Sequence, residues 1–439
     1  MTTAQLYPFG HAAERPAERP IGARLFDMAE MAVIYLILFL MSGALLAPLF
    51  SPDQNPDAVP WLRTMWLPVY GMIGLLALRD PLRMTRVAVG AVIALTLVAW
   101  AFLSSRWSIH GDITSRRSIA LLFTTLFGLY LAARFDWTEL VKMLAWLFLV
   151  LAVGSYLVSL AVPSLGANDP IHPGSWNGLW YEKNQMGGLM THGALVCAVA
   201  AIFEPTRRKL WIFASALCIG AVVMTDSTTS LLGVAVALGT LIAVLILRFG
   251  GPLALTCIWA GVAGGGAFIG LITLAPDLFF KLIGKDPSLT GRTEIWGAVL
   301  HRVELHPWLG YGFGAVWTDP WGPAWFIRHE VKWQAPTAHN GWLDVLLQLG
   351  IVGLALAALY FILTAVAAGT RLFRGKEGLW AIPFVAIFAL LSVSESTLLQ
   401  YNGLPWLMYT VIYDQEPDGT PAAKDKDRAG RTAAFTGAL

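Results

Sequence analysis

The chain has 439 residues, of which 56% are hydrophobic and only 13% charged, with 19 Trp and a formal net charge of +2. A water-soluble domain carries about a quarter charged residues, so this composition excludes one and predicts a polytopic membrane protein. The small net charge, with basic residues scattered through loops, gives no ground for nucleic-acid binding. Cys197, Cys218 and Cys257 lie in apolar runs without Cys-x-x-Cys or Cys/His spacing, so neither a disulfide framework nor a metal site is implied.

Residues 1–29 hold Arg15, Arg19 and Arg24 beside Glu14 and Glu18 and read as a cytoplasmic N-terminal segment. The apolar run that follows, 30–50, is long enough to span a bilayer at about 20 residues, which predicts an uncleaved first helix and not a signal peptide. Further runs near 62–78, 87–104, 118–133, 141–162, 186–203, 210–225, 229–247 and 253–275 complete transmembrane helices 1–9 over residues 30–275. A long loop, 276–339, precedes the tenth helix. Runs at 340–370, 379–394 and 402–413 give helices 10–12 over residues 340–414, for about twelve in all. The polar, charged stretch 415–439 reads as a disordered cytoplasmic tail.

An even number of spans puts both termini on one side, and the basic residues choose it. With the N-terminus cytoplasmic, the inside segments collect about 19 of the 30 Lys and Arg residues, among them Arg207, Arg208 and Lys209 in one short turn and Arg371, Arg374 and Lys376 in another. The outer face then owns loops at 105–116, 163–185 and 276–339.

Polar residues gather in those loops. Ser104–Ser118 (SSRWSIHGDITSRRS) carries Arg106, Arg116 and Arg117 against the topology bias and invites a polyanion, although a solvated, lipid-facing loop accounts for it equally well. Gly178–Gly187 (GLWYEKNQMG) sets Glu182, Lys183, Asn184 and Gln185 at a membrane entrance, where four polar side chains are costly unless they face protein or water. Thr225–Ser230 (TDSTTS) either hydrogen-bonds a sugar or caps a helix. The glycines from Gly261 to Gly270 fit close helix packing better than phosphate binding.

The stretch LTGRTEIWGAVLHRVELHPWLGYGFGAVW, from Leu289, places Ile295, Trp296, Val299, Leu300 and Val303 on one face, which predicts a short amphipathic helix on the outer membrane surface, capped by Thr290 or Gly291. Arg292 falls in its first turn, where the helix dipole disfavours a cation. A bound phosphate would explain the placement, and so would snorkelling to lipid headgroups. In Ala335–Gly353 (APTAHNGWLDVLLQLGIVG), Thr337 is a candidate cap, and Asn340, Asp344 and Gln348 form one ridge that must point into the bundle. His339 stands at its outer end, either a proton acceptor or a polar interfacial anchor.

Together, YEKNQMG, TDSTTSLLG, TGRTEIW, HPWLGYGFG and HNGWLDVLLQLGIVG resemble the superfamily of O-antigen ligases and O-antigen or exopolysaccharide polymerases, bacterial envelope glycosyltransferases, over roughly residues 100–370. The resemblance implies an all-α polytopic fold of GT-C type in the bacterial inner membrane, without a metal or other cofactor and with a periplasmic active site. It implies an undecaprenyl-pyrophosphate-linked glycan donor, a glycan acceptor, and a chain-length regulator as a candidate partner. By it, His339 matches an essential outer-loop histidine and Arg292 a pyrophosphate-holding arginine. Arg106, Arg116 and Arg117 are further pyrophosphate candidates, and Lys183, Asn184 and Asn340 candidate substrate contacts. Many ligases carry an arginine after the serine of the motif matching TDSTTS, where this chain has Thr228 and Thr229. That departure favours a polymerase of lipid-linked repeats over a ligase to lipid A core. A lipid-linked sugar flippase is the reading from another class, and ionisable groups at mid-membrane would mark it.

Overall fold

The computed structural model describes residues 21–50, 59–274, 292–319 and 321–414. Among these residues every regular element is helical and none is a strand. Ile21–Tyr35 belongs to a different compact unit from the chain between Leu36 and Asp418, and the packing below is that of the second unit. The helices are α1 (Ile21–Met41), α2 (Leu46–Phe50), α3 (Pro60–Ala77), α4 (Pro81–Gly90), α5 (Val92–Leu103), α6 (Gly111–Arg134), α7 (Trp137–Ala161), α8 (Pro163–Gly166) and α9 (Lys183–Phe203). They continue with α10 (Arg208–Met224), α11 (Thr228–Phe249), α12 (Gly251–Leu274), α13 (Arg292–Val303), α14 (Pro323–Val331), α15 (Gly341–Thr370), α16 (Gly378–Ser394) and α17 (Leu404–Asp414).

Five of them, α6, α7, α9, α11 and α15, are long and apolar enough to cross a membrane, and α3 with α4 makes a sixth if that bent pair is one span. The run expected at 87–104 is divided at Ala91, between α4 and α5, and before it α3 and α4 meet at a 100° bend around Asp80, whose carboxylate caps α4 by accepting from the Arg83 N–H at 3.1 Å. The apolar stretches of α5, α16 and α17 are shorter than the five, and at 1.5 Å per residue the 17 residues of α16 reach less than the hydrocarbon thickness of about 30 Å. By length and composition, then, the described residues give five or six spans, where the apolar runs predict about twelve. The first run, expected over 30–50, is helical from Ile21 and ends at Met41, just before the left-handed Gly43 and Leu45.

The most buried span is α9, which packs against α7, α10, α11 and α16. A second group forms around α6, which meets α3, α5 and α17, and α15 joins α5 to α16 and α17. Helix starts follow local chemistry. Asp136 and Glu139 cap α7 reciprocally, at 2.8 and 3.0 Å, and Asn340 caps α15.

α15 is broken. Gly350 sits at φ 67°, ψ −169°, so the carbonyls of the turn before it and the N–H groups after it lose their helical partners. The segment His306–Gly314 supplies the missing ones. Tyr311 N donates to Leu347 O at 3.1 Å and Gly312 N to Gln348 O at 2.9 Å, while Ile351 N donates to Pro307 O at 2.8 Å. The Trp100 indole reaches Leu349 O at 3.3 Å and that of Trp107 reaches Leu309 O at 3.0 Å. A Cβ on Gly350 would overlap the Trp308 carbonyl, and one on Gly310 the Gln348 carbonyl, so both glycines are fixed by the approach of two backbones.

The apolar face of α13 is not spread on a membrane surface. Ile295, Val299 and Val303 are buried with Ala324, Ile327 and Val331 of α14 and Leu347 of α15, and Trp296 packs against this cluster. Leu300, expected on the same face, is exposed. The stripe is covered by protein because α14 and the start of α15 lie against it. The candidate caps Thr290 and Gly291 fall outside the described residues.

Replacing Gly350 by Ala forces a side chain into glycine-only backbone space and onto Trp308. It is expected to cost more than about 2 kcal/mol. Thermal melting of the detergent-solubilised protein checks this, with Gly239→Ala, where a Cβ meets nothing within 4 Å, as the control expected to melt like the parent.

Candidate active site

The site is assembled from helix ends. Asn340 turns the chain into α15, its side-chain oxygen accepting from Trp342 N at 3.0 Å and Leu343 N at 3.2 Å. His339, one residue earlier, takes a left-handed φ of 47°, with its N–H donating to Thr337 Oγ1 at 3.2 Å and its ring stacked 6.0 Å from that of Trp333. From the C-terminal end of α16, Glu395 closes the other side: its carbonyl accepts from Gly341 N at 3.1 Å, and Ser396 Oγ donates to the Asp344 carboxylate. Asp344 also accepts from the Trp317 indole at 2.7 Å, so α15, α16 and the segment before α14 share one buried anchor.

The Glu395 carboxylate joins the two leading candidates. Its Oε1 accepts from Arg292 Nη2 at 2.9 Å, and its Oε2 lies 3.6 Å from His339 Nδ1. All three side chains are mostly buried; that of His339 is 14% exposed. Glu182, at the N-cap of α9, feels the same group. Burial first, and then the Glu395 charge, hold its carboxyl above the usual carboxylate range, while His339 and a hydrogen bond from Asn184 act the other way.

YEKNQMG and TDSTTS meet here. Asn184 Nδ2 donates to Glu182 Oε1 at 2.8 Å, Ser227 Oγ donates to Asn184 Oδ1 at 3.1 Å, and Ser230 Oγ donates to Ser227 Oγ at 3.0 Å. Ser227 is also the residue from which α11 begins, so the serine motif both starts a helix and holds Asn184. Lys183 turns elsewhere, its backbone N–H on Asp169 at 2.5 Å and its Nζ near Ser175 Oγ and Asp226 O, at 3.5 and 3.4 Å.

The three loop arginines separate. Arg117 is buried, donates to Gly314 O and lies 5.3 Å from the centre of the Tyr401 ring, which makes it a brace for the segment that fills the break in α15. Arg106 and Arg116 are exposed. Of the polar ridge on α15, Asn340 is spent on the cap, Asp344 on the anchor, and Gln348 accepts from Gly314 N at 2.6 Å. Arg292, His339 and Asn184 are therefore gathered around two carboxylates, Glu395 and Glu182, and Glu395 was not among the sequence candidates. A signal for it existed: an acid at a helix C-terminus opposes the helix dipole as Arg292 does at an N-terminus, and the two misplaced charges pair.

An imidazole, a guanidinium and two carboxylates thus meet at helix ends of a multi-pass, all-helical membrane protein. Comparison with known proteins narrows the class. Residues 213–358 match the O-antigen ligase family, a segment that includes Ser227, Arg292 and His339. The exopolysaccharide production protein ExoQ of Rhizobium meliloti (strain 1021) is 27% identical over 253 residues, 54% of this chain and 57% of that protein. A protein of Rickettsia felis (strain ATCC VR-1525 / URRWXCal2), named there as a candidate polysaccharide ligase, is 35% identical over 83 residues, 18% of this chain and 20% of its own. The chain thus spans little more than half of the first relative and a fifth of the second. These findings support its place in the O-antigen ligase and polymerase superfamily.

The raised carboxyl of Glu182 gives a pH prediction. An acid held above its ordinary value in the folded state favours the fold fully below the unfolded value, and that contribution is lost as pH rises through the folded one. Glu182→Gln keeps an oxygen for Asn184 and removes the charge. The variant is expected to melt higher than the parent at pH 7, and the difference is expected to vanish at about pH 4, below which both carry a neutral side chain. Equal melting at both values would show that Glu182 pays no penalty.

Proposed function

We propose that the protein is a glycosyltransferase of the exopolysaccharide or O-antigen type, a polymerase that joins undecaprenyl-pyrophosphate-linked oligosaccharide repeats at the periplasmic face of the inner membrane. The observation that carries this is that one carboxylate, Glu395, pairs with Arg292 at 2.9 Å and lies 3.6 Å from His339, the three residues coming from separate chain segments. A GT-C type arrangement of about twelve helices, with both termini cytoplasmic, belongs to the same proposal. The donor's sugar is in water and its lipid tail in the bilayer, so the reacting bond lies at the boundary, where a base at the top of α15 has the right depth.

In the reaction, the acceptor hydroxyl gives its proton to His339 Nε2 as its oxygen attacks the anomeric carbon. The bond from that carbon to the pyrophosphate oxygen breaks, the pyrophosphate leaves with the electron pair, and the configuration inverts. Arg292 meets the leaving negative charge with a two-pronged contact. Asn184, held by Ser227 and Glu182, is the candidate contact for a sugar hydroxyl, while Asn340 acts through the backbone of α15. The O-antigen ligase description of the matched segment supports a second reading, transfer of a finished glycan to lipid A core. Thr228 and Thr229 at the start of α11 favour the first. A flippase is disfavoured because the ionisable groups that meet do so at helix ends.

His339→Ala is expected to lower transfer by about 10²–10⁴-fold while leaving donor binding nearly unchanged. Arg292→Lys is expected to weaken donor binding and turnover together, because one ammonium cannot reproduce a fork. Lipid-linked glycans from a deletion strain complemented with each variant provide the measurement. Single repeats accumulating in the deletion strain indicate a polymerase, long lipid-linked chains indicate a ligase, and unchanged glycan in both variants would overturn the assignment.

A further inference from the structure

Arg292 is already paired. The anion that answers its place in the first turn of α13 is, among the described residues, the protein's own Glu395, at 2.9 Å. A donor pyrophosphate must therefore compete with an internal carboxylate for the same guanidinium. On the other side of that carboxylate, His339 Nδ1 is buried with no hydrogen-bond partner among the described residues, and Glu395 Oε2 stands 3.6 Å off, beyond hydrogen-bond range. A buried polar atom left unmatched so close to an acceptor is a contact waiting for a small shift.

We infer that Glu395 is a positioning residue that exchanges partners, releasing Arg292 to the donor pyrophosphate and turning to His339 Nδ1, so that donor binding itself orients the base. The inference rests on the glycosyl-transfer reading. With Nδ1–H held by the carboxylate, Nε2 presents its lone pair to the acceptor hydroxyl, and the imidazolium formed on proton uptake gains a facing negative charge. Without donor, the same carboxylate stays on Arg292 and the base is left unaligned. The backbone permits this exchange because it fixes the residue and leaves the side chain to move: Glu395 N donates to Leu391 O at 2.7 Å and Glu395 O accepts from Gly341 N at 3.1 Å.

An exchanging carboxylate predicts opposite changes in binding and turnover, which a purely structural residue does not. In Glu395→Gln, Arg292 loses its internal competitor and His339 loses its orienting charge. Polyprenyl pyrophosphate, used as the binding probe with the purified full chain, is expected to bind about three- to ten-fold tighter, while kcat for transfer from a lipid-linked repeat falls about 10–100-fold. In an Arg292→Ala background the tightening is expected to disappear, because it acts through that guanidinium. Weaker binding together with lower kcat, or the same tightening with and without Arg292, would overturn the inference. If Glu395→Gln gives no cooperative melt, Glu395→Asp is measured instead; its shorter carboxylate is expected to show the same opposed changes at smaller size, and parallel changes overturn the proposal. Failure of the underlying reading is separable: a wild-type protein that binds polyprenyl pyrophosphate no better than the polyprenyl alcohol, and transfers no sugar, refutes glycosyl transfer itself.

Discussion

The break in α15 at Gly350 sets the conditions for the rest of the site. A helix interrupted in apolar surroundings leaves backbone groups that water does not reach, and each must find a partner inside the protein. His306–Gly314 provides them, and in doing so is drawn against the first turns of α15. Arg117 from α6 and Gln348 from α15 then grip Gly314, and Trp317 reaches Asp344. One unsatisfied stretch of backbone thus fixes the segment between α13 and α14 and, with it, the start of α15 on which His339 sits.

The charges follow from the same assembly. Arg292 and Glu395 each occupy the helix end at which the dipole opposes them, and neither placement is favourable alone. Brought together and mostly buried, they satisfy each other at a cost in desolvation that a free surface would not impose. Glu182 adds a second carboxyl held toward its neutral form, so the site combines a fixed cation, a bridging anion and a group that resists ionising. Such imbalance is more typical of binding and catalytic sites than of structural ion pairs.

Much of the helical content was readable from apolar runs, because a segment with no charge over about 20 residues has few alternatives to burial in a membrane or a core. The 100° angle between α3 and α4 was not, because Asp80-Pro81, in the gap between the runs 62–78 and 87–104, signals a helix start but not its direction. As an apolar run, 340–370 reads as a single span. At 30 residues α15 exceeds what one crossing needs, but length alone does not place the interruption at Gly350, whose left-handed backbone only the structure shows. Periodicity on α13 correctly found Ile295, Val299 and Val303 as one buried face but could not say what covered it, since α14 lies across a stretch with no pattern linking the two. His339 and Arg292 were legible from local chemistry and family motifs. Glu395 was not, because its meaning depends on a contact 103 residues away in sequence from Arg292.

The carbonyl of Glu395 on Gly341 and the hydroxyl of Ser396 on Asp344 tie the far end of α16 to the head of α15. The segment matched to the O-antigen ligase family stops at residue 358, so it includes Gly341 and Asp344 but neither Glu395 nor Ser396. The residues that follow α16 are thus part of the candidate site, and a chain cut after residue 358 would retain His339 and Arg292 yet lose Glu395, the carboxylate that lies between them.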